Sequence, residues 1–386
     1  MRVLTVFGTR PEAIKLAPVL RALNDNASVT SRVCVTAQHR EMLDQVLSLF
    51  GIQPDHDLNV MKPGQSLSGL TARLLLGLDS VFESEKPDFV LVQGDTTTAF
   101  VAALAAFYRK IPVGHLEAGL RTGNMYSPFP EEINRQAISR LASLHFAPTS
   151  VNRNTLLEEG VRPESICVTG NTVIDALLWV TDRLKNDPEL AKPIQGRFSE
   201  LDPNRRLLLV TAHRRESFGA PMRQICESIA ELATRSDVQV VFPVHRNPRV
   251  VETVHGLLSG RPNVTLTEPL DYLTFAFLMT RAYVLLSDSG GVQEEAPALG
   301  KPVLVMREMT ERTEAVAAGT IRIVGTTRDR IVAETLSLLT DPAAYDRMAT
   351  AINPYGDGTA AERVVDALLS TRRPDPQLRV SEDDRS

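Results

Sequence analysis

Residues 7 to 15 read FGTRPEAIK and combine a glycine turn with two cationic side chains, a pattern suited to holding an anion. The segment directly follows an apolar run that predicts a buried first strand, and Pro11 and Glu12 suit the first turn of a helix. Helix N-termini attract anions, and Arg10 and Lys15 add positive charge around the amides. The sequence therefore predicts a site for a phosphate or a similar anion, although it carries neither a Walker loop nor a GxGxxG motif.

Polar side chains recur directly after predicted strands elsewhere in the chain. Asp95 follows residues 88 to 93, Glu117 follows 111 to 115, His213 follows 206 to 211 and Asp288 follows 283 to 287. In open parallel sheets, ligands bind beyond the carboxyl ends of the strands. The joint occurrence of these side chains at strand ends favours a functional site.

Each of these residues also has a structural explanation when it is taken alone. The structural alternatives are helix capping by Asp95, an ion pair between Glu117 and Arg121, an i,i+4 pair between Glu131 and Arg135, and a hydrogen-bonded loop position for His213.

The string SGGVQEE, residues 289 to 295, follows a predicted strand and opens a helix. Ser289 and the amides of Gly290 and Gly291 suit a diphosphate at the helix N-terminus. Glu294 or Glu295, one turn later, suits hydrogen bonds from two ribose hydroxyls. The alternative is a tight turn followed by solvated acids.

Short β-rich runs alternate with helical stretches along the whole chain, which is typical of parallel sheets covered by helices on both faces. Residues 182 to 205 are polar and contain proline, and we expect them to connect two such sheets. The tail 371 to 386 is highly charged and is expected to be disordered. The strand predictions are 2–7, 32–36, 88–93, 111–115, 166–169, 206–211, 238–244, 264–267, 283–287 and 302–306.

Composition restricts the function classes. The chain has 386 residues, 43% of them hydrophobic, and a formal net charge of −5, which gives no global electrostatic reason to bind nucleic acid. No apolar stretch approaches the ~20 residues of a membrane helix, and no signal segment is recognisable, so a soluble cytoplasmic protein is expected. Three widely spaced cysteines argue against a disulfide framework and a cysteine metal site.

The motifs FGTRPEAIK, QGDTTT, GHLEAGLRT, PEEINRQ, TAHRRES, SDSGGVQEEAP and NPYGDG occur in the order, and near the spacing, of the non-hydrolysing bacterial UDP-N-acetylglucosamine 2-epimerases. The chain resembles this family over about residues 1 to 370. The resemblance implies an α/β protein with two Rossmann-like domains that face each other across a cleft, the GT-B fold. It implies conversion of UDP-N-acetylglucosamine to UDP-N-acetylmannosamine for cell-surface polysaccharides, without metal or nicotinamide.

The resemblance also implies domain bounds and site residues. We expect an N-terminal domain over 1–172, onto which a helix at about 358–370 packs back, and a UDP-binding domain over 173–357. The catalytic residues implied are Asp95, Glu117, Glu131 and His213. The substrate-binding residues implied are Arg10, Lys15, Arg135, Phe275, Ser289, Gly290, Gly291, Glu295 and Arg312.

Some members of the family carry a second, activating nucleotide sugar. The chain retains Gln38, Arg214 and Glu216 of that allosteric site, but Glu41 and Gly64 depart from its pattern. The retained residues favour activation by substrate, whereas the two departures argue against it. Leu270 also replaces a polar residue found near uracil in some members.

Three alternatives stay open. A glycosyltransferase of the same fold needs an acceptor pocket, and the three acids argue against it. Only product analysis distinguishes a hydrolysing epimerase from a non-hydrolysing one. A nucleotide-sugar sensor has no reason to retain all three acids. A nicotinamide-dependent epimerase is disfavoured by the missing GxGxxG motif. By resemblance the protein is a homodimer without nucleic acid or membrane partners.

Overall fold

The computed structural model describes residues 1–36, 40–62 and 64–370, and for residues 40–42 and 215 it describes the backbone alone. Gln38 and the tail 371–386 lie outside the described residues. The chain divides into two compact units. The first is formed by Met1–Leu43, Gly51–Thr172 and the segment that begins at Thr359, and the second by Asp44–Phe50 and Val173–Gly358.

The first unit is built on a parallel sheet with the strand order β3-β2-β1-β4-β5-β6-β7. Leu4, Val6, Val90 and Val92 are fully buried in its core. Strands covered on both faces read as continuous apolar runs, which is why they are visible in the sequence. The strands are β1 Arg2–Phe7, β2 Thr30–Val35, β3 His56–Asp57, β4 Phe89–Gln93, β5 Val113–Leu116, β6 Leu144–Ala147 and β7 Ile166–Val168.

The second unit contains another parallel sheet, with the order β10-β9-β8-β11-β12-β13. Its core includes Leu208, Val210, Val240 and Leu286. The strands are β8 Arg206–Thr211, β9 Val238–Pro243, β10 Val264–Thr267, β11 Ala282–Ser287, β12 Val303–Val305 and β13 Ile321–Ile323. Each predicted strand is confirmed within a few residues, whereas β3, β6 and β13 are additional.

Helices connect successive strands and cover both sheets. They are α1 Arg10–Asn24, α2 Arg40–Phe50, α3 Leu67–Glu85, α4 Thr97–Tyr108, α5 Glu131–Leu141, α6 Ser150–Glu158, α7 Thr172–Asn186, α8 Pro188–Arg197, α9 Ala220–Leu232, α10 Pro248–Leu258, α11 Tyr272–Arg281, α12 Gly290–Glu295, α13 Thr313–Ala318, α14 Arg328–Thr340, α15 Pro342–Ala349 and α16 Ala360–Ser370. In the first unit, α16 packs against α1. In the second unit, the ring of Phe50 stacks on Trp179 with 5.0 Å between centroids.

The predicted fold class, two parallel-sheet α/β domains, is confirmed. None of the helices in the three described ranges is long and apolar enough to span a membrane. Residues 182 to 205 contain no strand, as expected, but α7 and α8 make them largely helical.

Candidate active site

Glu117 lies immediately after β5 and is held by donors from three parts of the first unit. Lys15 Nζ on α1 lies 2.5 Å from Glu117 Oε1, and the Asn171 amide donates to the same oxygen at 3.3 Å. The Gln93 amide, at the end of β4, donates to Oε2. Glu117 has a φ of +63°, a conformation that is uncommon outside glycine and that clusters at functional sites.

The structural alternative for Glu117, an ion pair with Arg121, is wrong. The Arg121 guanidinium instead forms a two-pronged pair with Glu159, with 2.7 Å from Nε to Oε1 and 2.8 Å from Nη2 to Oε2. The same Nη2 donates to the Ser139 hydroxyl at 2.9 Å. Arg121 thus links Ser139 on α5 to Glu159, which follows the last residue of α6.

Asp95 lies in the turn between β4 and α4, beside the other acids. It does not cap α4, because the side chain of Thr96 accepts the hydrogen bond from the Ala99 amide at 3.0 Å. Burial raises the pKa of the Asp95 carboxyl. The Arg135 cation opposes that increase, and the negative charges of Glu117 and Glu131 reinforce it.

Arg135 pairs with Asp95 and not with Glu131, so the proposed i,i+4 pair is wrong. Arg135 Nη2 lies 2.6 Å from Asp95 Oδ2, and Arg135 Nη1 lies 3.6 Å from Glu132 Oε2. Glu131 begins α5, and its Oε2 atom is buried without a hydrogen-bond partner in the described part of the chain. A buried, unsatisfied carboxylate oxygen at this position is available to a bound molecule.

The turn before α1 differs from the expected anion site. The Glu12 carboxylate accepts hydrogen bonds from the amides of Gly8 and Thr9, at 3.0 and 2.7 Å, and from the Thr96 hydroxyl at 2.6 Å. The protein's own carboxylate therefore occupies amides that were expected to face a phosphate. The Arg10 side chain makes no hydrogen bond or ion pair with another described residue, so its guanidinium is the cation of this turn that is open to an anion.

In the second unit, His213 follows β8 and stands beside Asp288, which follows the neighbouring strand β11. Asp288 is fully buried. His213 Nδ1 lies 3.1 Å from Asp288 Oδ1. Burial acts to raise the pKa of Asp288, but hydrogen bonds from His213 and the Arg214 amide outweigh it, and the pKa falls below its usual value.

The turn from Ser289 to Gly291 lies under the guanidinium of Arg312. A Cβ added to Gly290 would come within 2.9 Å of Arg312 Cζ. Arg312 is fixed there by Glu294, with 2.8 Å from Nη2 to Glu294 Oε1. The arrangement brings a cation to the start of α12, as a diphosphate site requires.

Glu295 ends α12, and Phe275 lies on α11 of the second unit. The Tyr272 hydroxyl donates to Glu295 Oε1 at 2.8 Å, and Glu295 is 7% exposed. Burial first, and then the Glu295 charge, raise the pKa of Tyr272 well above its usual value. Phe275 is half-buried on α11, three residues beyond Tyr272.

The residues assigned to an activating nucleotide sugar are only partly described. Glu216 pairs with Arg307 at 2.6 Å, and the Arg214 amide is held by Asp288. Gln38 lies outside the described residues, and Gly64 has a φ of +66° that suits glycine.

Several participants were not identified from the sequence. Gln93 and Asn171 donate to Glu117, and Tyr272 donates to Glu295. Asp288 was identified at a strand end, but its contacts with His213 were not. His115 is fully buried one strand residue before the turn and pairs with the Gly94 carbonyl at 2.7 Å from Nε2. Gln93 ends β4 and Asn171 lies three residues after β7, so their positions after strands are a signal that could have found them. Within the described ranges, no three His, Cys, Asp or Glu side chains are grouped to hold a metal ion.

Comparison with known proteins connects this arrangement to a family. A family model described as UDP-N-acetylglucosamine 2-epimerase matches residues 21–369. The chain belongs to this family. The UDP-N-acetylglucosamine 2-epimerase of Yersinia pestis is 58% identical over 369 residues, covering 95% of this chain and 98% of the relative. The UDP-N-acetylglucosamine 2-epimerase of Escherichia coli K12 is 55% identical over 373 residues, covering 96% of this chain and 99% of that relative.

Solved structures agree with this family assignment. A crystal structure of UDP-GlcNAc 2-epimerase from Neisseria meningitidis, bound to UDP-GlcNAc, is 53% identical with a TM-score of 0.89. The match covers 96% of this chain and all of that one. The family predicted from the motifs is thus confirmed, and with it the GT-B type of fold.

Proposed function

We propose that this chain interconverts UDP-N-acetylglucosamine and UDP-N-acetylmannosamine without releasing free sugar. Membership of the family, and its relatives known as UDP-N-acetylglucosamine 2-epimerases, support the reaction class. The observation that carries the proposal is the grouping of Asp95, Glu117 and Glu131, whose charges act on one another. A binding protein for nucleotide sugars has no need of three coupled carboxylates.

The chemistry requires proton transfer at C2 of the sugar. No carbonyl is attached to C2, so direct deprotonation is too slow. We propose that a base removes the C2 proton while the C1–O bond breaks, which gives a 2-acetamidoglucal and free UDP. UDP then adds back to C1, and an acid delivers a proton to the opposite face of C2.

Two faces require two proton-transfer groups, which we propose are drawn from Asp95, Glu117 and Glu131. Burial raises the pKa of Asp95, which favours the protonated form that an acid needs. Glu131 has an oxygen without a hydrogen-bond partner among the described residues, as expected of a group that meets substrate. Glu117 is fixed in orientation by Lys15, Gln93 and Asn171.

We propose that the second unit binds the nucleotide. The diphosphate would lie at Ser289, Gly290 and Gly291 with Arg312 and His213, because preorganised positive charge stabilises a leaving diphosphate. Glu295 would accept the ribose hydroxyls, and Phe275 would contact uracil. Arg10, Lys15 and Arg135 of the first unit complete the proposed substrate-binding set.

Further parts of the proposal follow from the family resemblance. The enzyme would act in the cytoplasm as a homodimer, without metal or nicotinamide, and its product would supply cell-surface polysaccharides. We also propose the domain bounds 1–172, together with the helix at about 358–370, and 173–357.

The test is product analysis by proton and phosphorus NMR of purified protein with UDP-N-acetylglucosamine. UDP-N-acetylmannosamine is the expected product. Free N-acetylmannosamine with UDP would indicate the hydrolysing reaction, and an unchanged substrate would favour a sensor.

Asp95→Asn should bind UDP and lose most turnover, on the order of 100-fold or more. The matched control is Glu164→Gln, which changes an exposed acid whose side chain is 67% accessible.

A further inference from the structure

Asp288 divides its two carboxylate oxygens between two tasks. Oδ2 accepts hydrogen bonds from the amides of His213 and Arg214, both at 2.8 Å, and from the Ser217 hydroxyl at 3.2 Å. These donors come from the loop that follows β8. The three bonds anchor that loop to the end of β11, and one oxygen is sufficient for all of them.

The other oxygen faces the His213 ring. Oδ1 lies 3.1 Å from Nδ1 but is not aligned for a hydrogen bond, and this buried oxygen has no hydrogen-bond partner among the described residues. The His245 ring stacks on His213 with 6.3 Å between centroids. Asp288 is fully buried, whereas 41% of the His213 side chain is exposed. With Nδ1 beside the carboxylate, Nε2 lies on the other side of the ring.

We propose that Asp288 is a positioning residue whose unpaired Oδ1 accepts the Nδ1–H of His213 after a small rotation of the ring and directs Nε2 to the sugar-nucleotide diphosphate. The proposal rests on the function proposed above. A carboxylate at Nδ1 favours the ring with a proton on that nitrogen, and it stabilises the ring further when both nitrogens are protonated. A ring that also carries a proton on Nε2 would donate this N–H to the diphosphate as UDP leaves.

A purely structural role for Asp288 makes a different prediction. If its purpose were to anchor the loop, Oδ2 alone would suffice, and an amide oxygen could replace it. Asp288→Asn separates the two roles, because the three donors at Oδ2 select the amide oxygen for that position. The amide NH₂ then faces Nδ1, which must accept a hydrogen bond and cannot keep its proton.

The experiment combines nitrogen-15 NMR of the histidine rings with steady-state kinetics. His213 is assigned by the signal that disappears in His213→Gln. We expect a protonated Nδ1 in the wild-type chain and a bare Nδ1 in Asp288→Asn. The variant should lose at least about tenfold in kcat, with KM changed by less than about threefold. The matched control is Asp341→Asn, which alters the acid that caps α15 in the second unit, where Oδ1 lies 2.9 Å from the Ala343 amide.

Each outcome decides the proposal. A wild-type His213 with a bare Nδ1 overturns it, and this measurement does not depend on the folding of any Asp288 variant. Wild-type kcat within about twofold in folded Asp288→Asn also overturns it. A wild-type chain that leaves UDP-N-acetylglucosamine unchanged overturns the proposed function instead, whereas a bare Nδ1 in an active enzyme overturns the Asp288 role alone.

Discussion

Lys15 Nζ lies 2.5 Å from Glu117 Oε1, although the two residues are 102 positions apart in the chain. The contact joins the first turns of α1 to the strained turn after β5. Only 16% of the Lys15 side chain and 12% of the Glu117 side chain are exposed. At this burial the loss of either partner leaves a poorly solvated charge.

Lys15→Met should therefore impair turnover more than nucleotide binding. Without the ammonium group, Glu117 loses its charged donor, and we expect kcat to fall on the order of 100-fold. The Kd for UDP should change by less than about fivefold, because the second unit carries most of the proposed nucleotide contacts. Kinetics and calorimetry with UDP check both values. Lys192→Met, which removes an exposed lysine paired with Glu189, is the control. Equal losses in kcat and UDP affinity would contradict the role given to the pair.

Tyr272→Phe should weaken UDP binding modestly. The change removes the hydroxyl that donates to Glu295 Oε1 and fixes the proposed ribose-binding carboxylate. A single hydrogen bond of this kind contributes about 1 kcal/mol, which corresponds to about fivefold in Kd. Tyr283→Phe is the control, since its hydroxyl contacts only the Leu338 carbonyl, at 3.4 Å, among the described partners. Identical UDP affinities in the two variants would remove Tyr272 from the nucleotide site.

Gly290→Ala should disturb the diphosphate turn through Arg312. The added methyl group would stand 2.9 Å from Arg312 Cζ, closer than such contacts allow, so the guanidinium that pairs with Glu294 must shift away from the turn. We expect UDP affinity to fall by about tenfold or more, the cost of one charge-assisted contact. Calorimetric titration with UDP measures the effect. In Gly196→Ala the methyl group meets open space, and that variant should bind UDP as the wild type does.

His115 should make the stability of the fold depend on pH. Burial is the largest cause that lowers its pKa, from 6.5 to about 3, so the folded chain keeps the ring neutral. Between these values the unfolded chain binds one more proton, and the free energy of unfolding must decrease as pH falls below 6.5. From pH 7 to pH 5 this group alone accounts for about 2 kcal/mol.

Urea unfolding at both pH values measures that contribution. His115→Gln can still bond the Gly94 carbonyl but carries no titratable ring. From pH 7 to pH 5, the free energy of unfolding should therefore decrease in both chains by different amounts. The decrease in His115→Gln should be smaller than in the wild type by about 2 kcal/mol. An equal pH dependence in the two chains would show that His115 is not held neutral.

The sequence predicted those parts of the fold that depend on local patterns. Strands such as β1 and β4 are covered on both faces and appear as unbroken apolar runs, whereas β3 has only two residues and gives no such signal. The occupied amides before α1 were also predictable in principle. Thr9 and Glu12 have the spacing of a capping box, in which the acid reaches back to the turn.

The contacts that organise the site are tertiary, and spacing along the chain does not encode them. Arg121 is closer to Glu117 in sequence than Lys15 is, yet Lys15 makes the ion pair. Asp288 was visible as a polar residue at a strand end. Its connection to His213, 75 positions away, depends on the pairing of β8 with β11.

The most direct test of the proposed mechanism is the exchange of the C2 proton with solvent. Wild-type protein is incubated with UDP-N-acetylglucosamine in deuterated water, without added metal or nicotinamide, and C2 is followed by proton NMR. The mechanism predicts UDP-N-acetylmannosamine that carries deuterium at C2, and loss of this exchange in Asp95→Asn. Epimerised product that retains its original proton at C2 would contradict proton transfer through the carboxylates.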